Sequence, residues 1–176
     1  MSELKVPVSA ADHARGGADG RVVLVEYGDY ECPYCRVAHS EVLQLGRHFG
    51  DDLTIVFRHF PLTEIHPLAE PAAETAELAG AQGRFWDMHD AIYAHQERLS
   101  LPFLLGAAKA LGLSERDCAL ALEAKTYAPK VAQDFLSGVR SGVNGTPTFF
   151  INGHRHDGPF DYRHLAAAIQ SVRPRA

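Results

Sequence analysis

Cysteine is scarce in this chain. Only Cys32, Cys35 and Cys118 occur in 176 residues, too few for a disulfide-stapled scaffold, and the odd number leaves at least one thiol unpaired. Long apolar runs are also missing, since no stretch approaches the roughly 20 residues that cross a bilayer. There is no extended Lys/Arg run, and a net charge of −5 argues against nucleic acid or an anionic membrane as a partner. The N-terminal "MSELKVPVSAADHARGG" lacks the apolar core of a secretory leader. That predicts a cytoplasmic home, or a periplasmic or other extracytoplasmic one if a leader has been removed. Repeats, low-complexity tracts and flexible linkers are absent as well.

What is present suits one globular domain over residues 1–176, with 46% hydrophobic and 22% charged residues and length enough for a substantial core. The first twenty residues are polar and Gly-rich, and "RGGADG" reads as a loop. "RVVLVEYGDY" is β-branched and bounded by glycine, a buried strand. From Pro33 to about Phe49 the pattern turns helical, with Val37, Leu43, Leu45 and Phe49 as expected buried positions, and Gly50 stops it. "LTIVFRHF" is a second apolar strand, which completes a β-α-β unit with a parallel pair.

A helical block follows at about 62–142. Within it, Pro71 stands where a first turn accepts it, and Phe85, Met88 and Ile92 share a helical face. Ser114 and Asp117 have capping-box spacing, Cys118 stacks with Leu122, and Val131, Phe135 and Val139 align on a third helix. Strand chemistry returns in "TPTFFINGHRHDG", where Asn152-Gly153 suits a type I′ hairpin. A last helix, "DYRHLAAAIQSV", turns Leu165 and Ile169 inward.

The chemistry centres on "EYGDYECPYCRV". A Cys-x-x-Cys at a helix start sets its first sulfur beside unpaired backbone N–H groups and the positive end of the helix dipole, and both favour the nucleophilic thiolate. Cys32 is then the exposed attacking thiol, Cys35 the more buried resolving one, and Pro33 fits the first turn. Three readings compete: a redox pair, a static disulfide and a zinc clip. Zinc needs four ligands, and only the isolated Cys118 and the "HRH" of His154–His156 remain to supply them. No metal is expected. Position after a buried strand and before a helix favours the redox pair. Cys118 is expected to be a small buried hydrophobe. Trp86 and the histidines, among them His59, His66 and His89, read as core and surface residues.

Taken together, "VEYGDYECPYC", "GVNGTPTFFING" and "RFWDMHDAIYAHQERL" resemble the thioredoxin superfamily, and within it the DsbA-like branch. The resemblance runs from about Val22 to Ile169. It implies an α/β thioredoxin-like fold, a central mixed β-sheet with a helical insertion between its active-site half and its second half. It further implies a cis-proline at Pro147, with Thr146 and Pro147 facing Cys32 and pairing with a substrate strand. Pro33 and Tyr34 would border the same substrate surface. Glu26, six residues before Cys32, matches a buried acid that would exchange protons with Cys35. Asp29 and Glu31 would oppose the Cys32 thiolate somewhat, and Pro-Tyr between the sulfurs suggests a moderate potential.

The expected function is a monomeric, bacterial thiol-disulfide oxidoreductase without a cofactor, acting on protein thiols and disulfides, with glutathione as a further candidate. The alternatives are a redox-idle peptide- or client-binding module on the same fold and a glutathione-dependent reductase or isomerase.

Overall fold

The computed structural model, which describes residues 2–18 and 20–173, begins with a strand where the sequence reads as loop. β1 (His13–Gly16) pairs antiparallel with β3 (Leu53–His59), placing Arg15 level with Ile55. "HARG" has no apolar alternation to announce a strand. Backbone pairing holds it instead, together with polar side chains that reach later helices: His13 to Glu77 and Arg15 to Asp90. The loop reading is thus confined to the residues after Gly16, of which Asp19 lies outside the described residues.

β2 (Val22–Gly28) runs parallel to β3, and β4 (Thr148–Ile151) pairs antiparallel with β2. β5 (His154–His156) completes a mixed sheet of order β1-β3-β2-β4-β5. The hairpin between β4 and β5 turns on Asn152 and Gly153, both at positive φ (48° and 82°), as a type I′ turn requires.

Because side chains alternate along a strand, β2 serves two layers. Leu24 packs with Ala38, Val42 and Leu45 of α1 (Pro33–Phe49) and with Leu165 and Ile169 of a C-terminal helix, Tyr162–Val172. Val25 and Tyr27 face the opposite side, with Val56, Phe60 and Phe150. α1 has the expected bounds but a shifted buried face: Cys35, Ala38, His39, Val42, Leu45 and Phe49. Val37 is 53% exposed and Leu43 half-buried, because the face follows i, i+3, i+4, i+7 from Cys35 and both lie off it.

Between β3 and β4 the chain forms α2 (Ala69–Gly80), α3 (Phe85–Ala94), α4 (Leu101–Ala110), α5 (Glu115–Glu123) and α6 (Ala128–Arg140); the C-terminal helix is α7. Phe85, Met88, Ile92 and Cys118 are all buried in this block, which also covers Cys32 and Cys35. Ser100 and Ser114 cap α4 and α5 by accepting the N–H of Phe103 and of Asp117. α6 departs from its apolar pattern: Val131 is buried, Phe135 half-buried and Val139 exposed. Its inner face is Val131, Asp134, Ser137 and Gly138. A side chain at Gly138 would meet the Phe60 ring at 2.7 Å, so close packing selects glycine, and hydropathy cannot signal that face.

Candidate active site

Gly28 ends β2, and the four residues up to Cys32 form a loop organised by one buried side chain. The Asp29 carboxylate accepts the N–H groups of Glu31 (2.7 Å), Cys32 (3.1 Å) and Leu62 (2.8 Å), and lies 2.8 Å from His66 Nδ1. Glu31 is engaged too, accepting the N–H of Leu68 at 2.7 Å. Both acids therefore brace the loop; neither is among the main influences on the Cys32 thiol, contrary to the opposing role expected of them. From the α3–α4 connection Gln96 donates to the carbonyls of Tyr30 (2.8 Å) and Cys32 (2.9 Å). The helical block thereby grips the loop backbone.

Cys32 is the N-cap of α1 and Pro33 its first residue. Cys35, one turn on, is fully buried, and the Asp29 amide donates to its sulfur at 3.5 Å. Cys32 is itself only 4% exposed, so the exposed thiol expected from the sequence is instead nearly buried. Tyr34, at 65% exposure, stands beside it. The Thr146-Pro147 peptide is cis, and the Cys32 thiol donates to the Thr146 carbonyl at 3.5 Å. Tertiary structure thus brings together Cys32, Cys35, Thr146 and Pro147 at one end of the sheet.

The two sulfurs are pushed in opposite directions. A hydrogen bond from Cys35 is the largest influence on Cys32; with Thr146 and the N–H groups of Cys35 and Tyr34, it overcomes burial and lowers the thiol to about 5. Cys35 is held well above its ordinary value by burial, then by Cys32 and Glu26. The pair accordingly holds a thiolate at Cys32 and a proton at Cys35 at neutral pH. Glu26 is 3% exposed and is raised to about 8 by burial, against the pull of Arg15. Its Oε1 has no hydrogen-bond partner among the described residues. A carboxyl of that kind can give or take a proton near neutrality.

The remaining candidates fall elsewhere. Cys118 is buried on α5, its thiol raised by burial. His154 and His156 lie on the edge strand β5, so they share no element with the cysteine pair. His59 is bonded to Glu77, His66 to Asp29 and His89 to Tyr30. Two groups of His and acid side chains approach within 4.8 Å, His39-His89-Asp90 and His59-Glu77-Asp134, and neither includes a cysteine. Neighbours account for their acids: Arg15 for Asp90, His13 and His59 for Glu77, Lys130 for Asp134. Trp86 is half-buried and donates to the Ala14 carbonyl. Sequence reasoning missed Gln96, which reaches Cys32 across 64 residues, and Arg15, which acts on Glu26 from a separate strand; no local pattern encodes either. The anchoring role of Asp29 had a local signal, an Asp three residues before the helix N-cap.

The strand-to-helix cysteine pair, the cis-proline loop above it and the helical block inserted between them define a DsbA-like architecture. The chain belongs to the thioredoxin family, whose Thioredoxin sequence model matches residues 9–171. Its fold is that of the DsbA-like thiol-disulfide oxidoreductases. BdbD from Bacillus subtilis, in its oxidised form, superposes with a TM-score of 0.87 over 97% of each chain at 23% identity. A thioredoxin-like oxidoreductase from Silicibacter pomeroyi superposes at 0.83, with 27% identity over 96% of this chain and 95% of that one. Wolbachia pipientis alpha-DsbA1 gives 0.82 at 19% identity over 97% and 94%.

Among curated sequences, a Salinispora arenicola protein named Na(+)/H(+) antiporter NhaA 1 is 45% identical over 97% of this chain. The Na(+)/H(+) antiporter NhaA of Herminiimonas arsenicoxydans is 40% identical over 92%. The match takes in 26% of each of those proteins, so the chain spans about a quarter of their length.

Proposed function

We propose that this domain is a thiol-disulfide oxidoreductase that exchanges disulfides with protein substrates through Cys32 and Cys35. The observation that carries the reading is the opposed protonation of the two sulfurs, with the low-pKa one at a helix start facing the Thr146 carbonyl. A substrate disulfide is attacked by the Cys32 thiolate, forming a mixed disulfide and releasing one substrate thiolate. Cys35 then loses its proton and attacks the Cys32 sulfur, which closes the Cys32–Cys35 bond and releases the second substrate thiolate. The reverse sequence oxidises a dithiol. Thr146 and Pro147 offer the backbone edge beside which a substrate strand would lie, and Pro33 and exposed Tyr34 border it.

Ion transport, the activity in the NhaA relatives' names, is not proposed for this chain, which spans about a quarter of their length. The deciding experiment is turnover. Cys32→Ser should abolish both insulin-disulfide reduction and dithiol oxidation, whereas Cys35→Ser should accumulate mixed disulfides. Full activity in Cys32→Ser would end the proposal. A very low potential of the pair with no turnover would favour a redox-idle binding module, and strict glutathione dependence a glutathione-linked reductase.

A further inference from the structure

Glu26 is a buried acid, and a cation on its face would favour its carboxylate form. The cation nearest in the neighbouring strand, Arg58, does not do so. Arg58 is level with Tyr27, so it projects from the other face, where Asp12 and the Tyr27 hydroxyl hold it. Glu26 is level with Phe57. On its own face lies a residue from the strand that the sequence does not announce. Arg15 is level with Ile55, which is level with Leu24. Leu24 and Glu26, two residues apart, share a face, so Arg15 and Glu26 project from the same side of the sheet with β3 between them.

The guanidinium of Arg15 is held by helix α3. Its Nη1 donates to both Asp90 oxygens, at 2.9 and 3.1 Å, and its Cζ lies 4.2 Å from the centre of the Trp86 ring. Its Nη2 is buried without a partner among the described residues, as is Glu26 Oε1. A guanidinium nitrogen and a carboxyl oxygen left unpaired on one buried face are each costly alone, and a favourable interaction between the two groups offsets part of that cost. The other titratable groups with a charge interaction with Glu26 are Cys32 and Cys35 of α1, Tyr30 of the loop and Tyr93 of α3. The buried imidazoles of His39 on α1 and His89 on α3, grouped with Asp90, are held neutral by burial. Arg15 is the cation of the set.

We propose that Arg15 is a positioning residue that sets the protonation of Glu26, with Asp90 and Trp86 of the inserted helix fixing where its charge acts. The inference rests on the oxidoreductase reading for its purpose, though not for its measurement. In the reducing direction the Glu26 carboxylate takes the Cys35 proton as that sulfur attacks Cys32 in the mixed disulfide and the substrate thiolate departs. In the oxidising direction a substrate thiolate attacks Cys32, the Cys32–Cys35 bond breaks, and the Glu26 carboxyl returns the proton to the Cys35 thiolate. Arg15 favours the carboxylate in both, keeping the acid within reach of neutral pH. The insertion thereby influences chemistry at the far side of β3.

The test reads Glu26 directly, by the pH dependence of its 13C carboxyl resonance in the native, reduced protein. The wild type should titrate near 8, and Arg15→Met should move that midpoint up by at least one pH unit, a tenfold change in proton affinity. Arg15→Lys, which keeps the charge, should stay closer to wild type and serves if the methionine variant does not fold. An unmoved midpoint in Arg15→Met, or a Lys variant shifted as far as Met, overturns the proposal. Resolution of a peptide mixed disulfide by Cys35, followed over the same pH range, forms the second arm. Arg15→Met should slow it about tenfold below the midpoint and should change nothing in a Glu26→Gln background. An equal slowing in both backgrounds also overturns the assignment. A shifted resonance without any turnover would leave the Arg15–Glu26 coupling standing and remove the oxidoreductase reading instead.

Discussion

The thiol of Cys32 and the carbonyl of Thr146 meet at 3.5 Å although 114 residues separate them. The contact joins the helix that activates the sulfur to the cis-proline loop. The Thr146 hydroxyl is buried without a partner among the described residues, and Thr146 is one of the groups favouring the thiolate. Thiolate absorbance of the reduced protein should therefore titrate at Cys32 with a midpoint of about 5. Cys35→Ala should raise that midpoint most, since Cys35 is its largest lowering influence, and Thr146→Val should raise it less. A wild-type midpoint near 9, the ordinary thiol value, would contradict the geometry.

Glu26 also links stability to pH. In the folded protein it keeps its proton up to about 8, whereas its ordinary value is 4.5. Between these values the folded state binds more protons than the unfolded chain, so stability falls as pH rises through that window. Cys32 acts in the opposite sense, because its lowered thiol adds stability as pH rises from about 5. The Glu26 contribution is best isolated in a Cys32→Ala background. There, Glu26→Gln should be more favourable at pH 8 than at pH 5 by on the order of 3 kcal/mol, read from urea midpoints. A pH-independent effect would show that the carboxyl ionises normally.

Gln96 should matter to the loop more than its position suggests. Gln96→Ala removes the donors of two carbonyl contacts, to Tyr30 and Cys32, and should destabilise the protein by about 1–3 kcal/mol. Gln96→Glu should be at least as harmful, because a carboxylate accepts and cannot donate to those oxygens. A neutral Gln96→Ala in chemical denaturation would mean the grip is immaterial.

Cys118 should be silent in the native state. With the protein reduced and folded, iodoacetamide should label Cys32 first and Cys118 only on unfolding, as its burial and raised thiol require. Mass spectrometry of early time points checks this, and prompt labelling at Cys118 would contradict its placement inside the helical block.

Much of this was legible beforehand, and the parts that were not share a cause. The β-branched run at β2, the proline-started α1 and the Asn152-Gly153 turn are local patterns, governed by neighbours a few residues away. Val37 and Leu43 were misplaced because the buried face of α1 is phased from Cys35, and Val139 because polar partners occupy the inner face of α6. On α6 those partners are Asp134, which accepts the His59 N–H, and Ser137, which bonds the Tyr27 hydroxyl. Strand β1 was read as loop because its stability comes from backbone pairing and from Glu77 and Asp90, which lie on helices α2 and α3.

By itself the sequence determined the cysteine pair at a helix start and the β-α-β unit around it, which depend on residues near in the chain, and the resemblance it carries marked the Thr146-Pro147 loop. Tertiary structure alone decided how those parts act on one another. It turned Asp29 and Glu31 from opposing charges into loop braces, buried most of Cys32, and set Arg15 across β3 from Glu26. The reason is physical. Protonation and exposure at a buried site depend on burial, hydrogen bonds and charges within several ångströms, and folding supplies those from any position in the chain.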